Sequence, residues 1–324
     1  MTPTPVTPDP AGPIPEPRFP SPPPEPTFVP SYVTVSGVRV RHLLTGGPTA
    51  VQPAGPTAEQ PAGQTGSGPP VVLLHGIGRS LEDWEETVRR LAPDHRLLVP
   101  DLIGFGLSDK PDVPYTLAGL ARFVERYLDA VGVREPVVLV GHSLGGAVAQ
   151  QFAAQYPGRV RGLVLVGSAG FGQSVTLALR LLSVPGLGEG LLRPSPGADR
   201  RVVQSLFHDA RHATQARFEH TGVLARQPGL ARAYLRVVRH LGTWRGIRPA
   251  WRRELQGRLA TLNVPTLIVW GERDLILPAD HLEEARRAYP HALTHLYPDT
   301  GHLPQVEQAD DFAARLRAFL KEEA

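Results

Sequence analysis

Gly141-His142-Ser143-Leu144-Gly145-Gly146 follows the apolar run Pro136–Val140 and opens a helical pattern, Leu144–Tyr156. A serine flanked at two positions on either side by glycine, between a strand and a helix, marks a sharp strand-to-helix turn. Such a turn strains the Ser backbone. Side chains two residues before and after it would collide with neighbouring chain. The turn lifts the hydroxyl out of the backbone, and the helix N-terminus beneath it offers unpaired N–H groups and a positive dipole end.

Working outward, short apolar runs recur at Val71–Leu74, Leu97–Val99, Val137–Val140, Leu163–Val166, Thr266–Trp270 and Leu293–Leu296. Continuous runs of this kind are what strands buried on both faces require. Helical patterns lie between and around them, at Leu81–Leu91, Leu117–Val131, Leu144–Tyr156, Ala279–Ala288 and Ala309–Leu320. Ahead of them, Tyr32–Val35 and Val38–Leu44 alternate as a hairpin across Ser36-Gly37. The alternation predicts an α/β fold with a mostly parallel, eight-stranded sheet flanked by helices.

Between Gly170 and Asn263 no strand-like run occurs. Helical patterns are present at Thr176–Leu182, Arg201–Phe207, Leu230–Leu241 and Ala250–Leu259. Residues 170–263 therefore read as a helical lid inserted into a core made of 31–169 and 264–324. This insertion holds fifteen Arg against five acidic residues, about +10. The whole chain is only +3, so the remainder is near −7. The Arg excess is expected to face solvent or to pair with the acidic core. Apolar faces such as Leu177, Leu179, Leu181 and Leu182 should pack on the core or roof a pocket.

The chain has 324 residues, 41% of them hydrophobic, enough for one large domain with an insertion. Thirteen of 35 Pro fall in residues 1–30, predicting a disordered or PPII-like tail. Residues 46–68 repeat that composition and read as an exposed loop insertion. Neither an apolar run of about 18 residues nor a signal-peptide pattern occurs, so no membrane span is expected. The absence of cysteine excludes a disulfide scaffold, a thiol nucleophile and Cys-ligated metal, and fits a reducing cytoplasm. The small net charge argues against a nucleic-acid partner. Oligomeric state is not legible.

A serine nucleophile needs a base, and the base an orienting carboxylate. Trp270-Gly271-Glu272-Arg273-Asp274 ends one strand run, and Asp299-Thr300-Gly301-His302 follows the next. Loops at the carboxyl ends of parallel strands converge on one cleft. Of twelve His, only His302 sits in a loop directly after the last strand. His295 lies in a strand run, His281 at a helix start, and His208, His212, His220 and His240 in the insertion. Asp274 is the expected orienting acid. Glu272 is its rival, and the loop Gly167–Gly170 offers no acid. Asp299 reads as a turn residue. The chain order Ser143, Asp274, His302 is the order used by triads on such a turn.

An attacked acyl carbon develops an oxyanion that two aimed N–H groups must hold. His75-Gly76-Ile77-Gly78 closes the run Val71–Leu74, and the expected donors are the N–H groups of Ile77 and Leu144. His75 should brace the loop. Reading Gly76-x-Gly78 as a dinucleotide fingerprint fails, because Leu81 stands at the third glycine position. No cofactor is called for.

From about Tyr32 to the C-terminus the chain resembles the α/β-hydrolase superfamily. The resemblance rests on His75–Gly78, Gly141–Gly146 and Gly271–Asp274. It rests also on Asp101-Leu102-Ile103-Gly104-Phe105-Gly106-Leu107-Ser108-Asp109, Asp274-x-x-x-Pro278 and Gly301-His302-x-Pro304-x-x-Glu307. It implies a lid after the sixth strand. Dehalogenases and many epoxide hydrolases of this superfamily carry Asp at the nucleophile, where this chain has Ser143. Proline iminopeptidases look like GGSWGG at that turn. Carbon–carbon hydrolases of meta-cleavage products often have Asn before the Ser and Trp after the His; here these are His142 and Leu303. The resemblance thus implies an esterase-like serine hydrolase acting on a small-molecule ester. Hydrolysis of a carbon–carbon bond on the same triad, and ligand binding without catalysis, are the alternatives.

Overall fold

The computed structural model describes residues 29–46, 68–193 and 197–322. Apart from its last two residues the expected tail lies outside the described residues. So does the 46–68 insertion, apart from its two end residues. One eight-stranded sheet runs in the order β1-β2-β4-β3-β5-β6-β9-β10. Its strands are β1 (Ser31–Val35), β2 (Val38–Leu44), β3 (Val71–Leu74), β4 (Leu97–Pro100), β5 (Val137–His142), β6 (Val160–Val166), β9 (Thr266–Gly271) and β10 (Leu293–Tyr297). The β1–β2 and β2–β4 pairs are antiparallel, and every pairing from β4 to β10 is parallel. The eight runs expected from sequence are these eight strands.

Alternate side chains of the central strands enter two different cores, as the pleat requires. Val72, Leu74, Leu139, Leu165 and Ile268 pack with α2 (Leu117–Ala130), α3 (Leu144–Gln155) and α10 (Asp280–Ala288). Val71, Leu73, Val138, Val140, Val164 and Val269 pack with α1 (Glu85–Leu91) and α12 (Ala309–Glu322). Burial on both faces explains why these strands read as unbroken apolar runs.

Between β6 and β9 lie α4 (Leu177–Leu182), α5 (Leu187–Leu191), α6 (Ala198–Leu206), α7 (Gln215–Ala225), α8 (Leu230–Leu241) and α9 (Pro249–Leu259). The sequence patterns anticipate four of them. α5 is a single short turn of helix, and α7 lacks a continuous apolar stripe, so periodicity passes over both. The Thr214 side chain accepting from Arg217 N is the N-cap signal that marks α7. A small antiparallel hairpin, β7 (Gly242–Thr243) and β8 (Gly246–Ile247), also lies in this interval, where no strand was expected. Two-residue strands around a glycine turn carry no periodic signal. The short α11 (Pro304–Glu307) precedes α12.

The ion pairs of residues 170–263 run both to the core and, for Arg211, Arg226 and Arg258, to acids within the same interval. Arg232 and Arg236 pair with Asp112 of the core, whereas Arg239 pairs with Glu189 inside the insertion. Leu177 departs from the expected packing: it is 61% exposed, while Leu182 is buried.

On the first antiparallel pair, His42 Nδ1 lies 3.0 Å from the Tyr127 hydroxyl of α2. Burial lowers its pKa to about 4. As pH falls through the ordinary value of 6.5, the unfolded chain takes up a proton that the folded chain refuses. The folded state is therefore penalised below pH 6.5 and not above it. Urea denaturation from pH 7.5 down to about 4.5 is expected to show His42→Gln losing less stability than the parent, by about 1.4 kcal/mol per pH unit once the pH is below 6.5. Parallel profiles for the two proteins would contradict this assignment.

Candidate active site

Ser143 stands at φ +53, ψ −113, between β5 and α3, a conformation rarely tolerated outside glycine. Three glycines make the turn sterically feasible. A Cβ on Gly145 would overlap the Leu74 carbonyl, one on Gly141 the Gly145 carbonyl, and one on Gly146 the Ser168 side chain. The turn is locked by Ser143 N donating to Val166 O at 3.0 Å and Ala169 N donating to Ser143 O at 3.1 Å.

The carboxyl end of β9 holds Asp274, and the loop after β10 holds His302. Their side chains meet at 2.6 Å, His302 Nδ1 to Asp274 Oδ2. The other carboxylate oxygen accepts from Ile276 N at 2.8 Å and Leu277 N at 2.9 Å. These bonds fix the carboxylate in its 5% exposed site. Glu272 is exposed and points instead toward Asp299 N and Arg273. Asp299 sits in a turn at φ +45. The two loops are laced together by Glu272 N to Tyr297 O (2.9 Å) and Arg273 N to Thr300 O (2.8 Å).

His142 links the serine turn to this pair. Its Nε2 donates to the His302 carbonyl at 2.8 Å, and the two rings lie 4.6 Å apart. Desolvation first, and the neighbouring His302 second, hold the His142 pKa well below its ordinary value, so it is a neutral donor. Gly76 lies close over it: a Cβ there would come within 3.0 Å of His142 Nδ1 and 3.4 Å of the Ser143 Cβ.

His75 braces the loop after β3. Its Nδ1 donates to the Gly76 carbonyl (2.8 Å) and its Nε2 accepts from Leu102 N (2.9 Å), which fixes one tautomer. Burial keeps it neutral by lowering its pKa. Arg79 N closes the Gly76–Arg79 turn at 3.3 Å, with Gly78 at φ +68. Ile77 and Leu144 both face an apolar cavity of about 60 Å³ that Ser143 also lines. Leu144 opens α3, so its N–H has no acceptor within the helix. The remaining walls include Val175, Leu179, Val238, Leu241, Trp251 and Ile276, and no charged residue among the described residues lines it.

Two structural roles escaped sequence reasoning. Glu307 accepts from Gly301 N at 2.7 Å, and from His208 N and Asp209 N at 2.9 and 2.8 Å. His302 N donates to Leu206 O at 2.8 Å. The histidine loop is thus fastened to the inserted helices. Its signal was the Gly-His-x-Pro-x-x-Glu spacing, which carries no hint of the partner. The second role belongs to Arg79. It grips the buried Asp83 through two bonds (2.9 and 2.5 Å) and reaches Thr221 of α7 at 3.1 Å. Burial alone would raise the Asp83 pKa, but Arg79 outweighs it and holds the carboxyl below its ordinary range.

Residues 69–309 match the family model of the alpha/beta hydrolase fold. The chain belongs to that family. It is 33% identical over 268 residues to an uncharacterized protein of Mycobacterium tuberculosis, covering 79% of this chain and 76% of that one. It is 30% identical to the 2-hydroxy-6-oxo-6-phenylhexa-2,4-dienoate hydrolase of Comamonas testosteroni, covering 79% and 89%. In fold it resembles the meta-cleavage product hydrolase of Pseudomonas fluorescens IP01, with a TM-score of 0.70 and 24% identity over 91% of this chain and 98% of that one. No helix among the described residues is long and apolar enough to cross a membrane.

Breaking the Arg79–Asp83 pair leaves a buried guanidinium without its countercharge. Asp83→Ala is expected to cost about 3–5 kcal/mol in chemical denaturation, whereas Arg79→Met with Asp83→Leu recovers most of that loss. A loss from Asp83→Ala below about 1 kcal/mol would place the pair among weak surface bridges.

Proposed function

We propose that the protein is a serine hydrolase that cleaves carboxylic esters through an acyl-enzyme. Ser143 Oγ attacks the acyl carbon, and its proton passes to His302 Nε2, the nitrogen that Asp274 does not hold. Asp274 keeps the ring oriented and stabilises the imidazolium. The N–H groups of Ile77 and Leu144 hold the oxyanion. The intermediate collapses with release of the alcohol, which takes the proton from His302. Water then attacks the acyl-enzyme, giving its proton to His302, and Ser143 leaves as the restored alcohol with the carboxylic acid as product. His75, Gly76, Gly78, Gly141, His142 and Gly145 shape the two loops. Residues 170–263 act as a lid whose apolar side chains form the acyl pocket. The cysteine-free sequence supports a cytoplasmic setting.

The observation that carries the ester reading is the uncharged lining of the cavity beside Ser143. A neutral acyl chain loses nothing there, whereas a carboxylate would be desolvated without a countercharge. Carbon–carbon bond hydrolysis is the second reading. It is favoured by the relative from Comamonas testosteroni, whose named substrate is a dienoate anion.

A panel of p-nitrophenyl esters, run beside that dienoate, separates the two. On the ester reading kcat/KM rises by about fourfold per added CH₂ until the cavity is full, then falls. Turnover of the dienoate exceeding that of every ester would overturn it.

A further inference from the structure

The segments at the rim of the cavity carry apolar side chains that are exposed among the described residues. Val175 and Leu179 line the cavity, and Leu177 between them in sequence is 61% exposed. Thr243 and Gly246 line it, and Trp244 between them is 58% exposed. Ile276 lines it, and Leu275 beside it is 66% exposed. The segments that carry them are joined to one another. Thr176 N donates to Ile276 O at 2.9 Å, joining the start of α4 to the loop after Asp274. Arg180 Nε donates to the Trp244 carbonyl at 2.7 Å, joining α4 to the β7–β8 turn. The Arg245 guanidinium lies 5.0 Å from the centre of the Trp244 ring. Neither Arg180 nor Arg245 has an acidic partner among the described residues.

We infer that this rim docks on a lipid bilayer containing anionic headgroups. Three apolar side chains expose far less than the roughly 1,200 Å² a stable protein interface buries. A bilayer needs less: a few side chains, including Trp, that enter the acyl boundary, with cations beside them at the phosphate level. Arg180 and Arg245 supply those cations, on the segment whose charge is opposite to that of the core. Docking in this pose sets the cavity mouth at the headgroup layer. An apolar ester dissolved in the bilayer then reaches Ser143 without crossing water. This consequence rests on the ester reading; the docking does not.

Vesicle flotation tests the docking. Ser143→Ala protein is used, so that hydrolysis of vesicle lipid cannot alter the result. Vesicles of equal parts phosphatidylglycerol and phosphatidylcholine are compared with phosphatidylcholine alone, at low salt and in ~0.5 M NaCl. The protein is expected to float with the mixed vesicles at low salt. Its partition should fall about tenfold or more in high salt, and likewise on Arg180→Gln with Arg245→Gln. Leu177→Gln with Trp244→Ala and Leu275→Gln should abolish flotation while the thermal melting curve stays cooperative. Absence of flotation with the mixed vesicles would overturn the inference, as would flotation that survives the triple substitution. A dimer in sedimentation velocity that dissociates on the triple substitution would assign the patch to a second copy and overturn it equally. Ester hydrolysis by the parent protein, measured separately in solution, reports on the ester reading whichever way the vesicles fall.

Discussion

The site depends on a backbone packing constraint at one turn. β5 ends, α3 begins, and Ser143 is held between them in the left-handed region at φ +53. The turn is tolerable only because three chain segments approach without side chains between them. The ends of β3 and β6 lie against Gly145 and Gly146, and Gly141 lies against the first turn of α3. Replacing the hydrogen on Gly141 or Gly145 with a methyl group would push it into backbone, which no rotamer change relieves, and one on Gly146 would overlap the Ser168 side chain. The serine is therefore presented at the mouth of the cavity by packing, and the parallel sheet brings the carboxyl ends of β9 and β10 to the same side.

The helices between β6 and β9 also anchor the loops beside Ser143. The main chain of His302 is bonded to Leu206, and Glu307 spans from Gly301 to the amides after α6. The loop after β3 is tied to α7 through Arg79 and Thr221, and Ser80 lies 2.8 Å from His220 of the same helix. Both loops that flank Ser143 thus take part of their support from residues 170–263. In this architecture the segment that shapes the pocket also helps to position the residues beside it, so substitutions in α6 or α7 can reach the site through its supports.

Much of this was legible in the chain because the signals are local. Each strand of the main sheet is an apolar run or an alternating hairpin strand. The serine turn is written in glycines, and His302 could be separated from eleven other histidines by its place after a strand. What stayed illegible depends on partners far away in sequence. α7 lacks a periodic face because it packs through scattered contacts, with Thr221 reaching Arg79 across 142 residues. Glu307 was visible as a motif position, but its acceptor role joins it to residues about a hundred positions earlier. Leu177 looked like a packing residue from its leucine-rich surroundings. It is 61% exposed, while Val175 and Leu179, two residues to either side, line the cavity.

The central claim is that Ser143 is an activated nucleophile served by His302 and Asp274. Mass spectrometry after brief exposure to a fluorophosphonate addresses it most directly, because the probe reports nucleophilicity without assuming a natural substrate. The account predicts one adduct, on the peptide containing Ser143, formed at least about a hundredfold more slowly in His302→Ala. An adduct on any other residue, or equal labelling of parent and His302→Ala proteins, would contradict it.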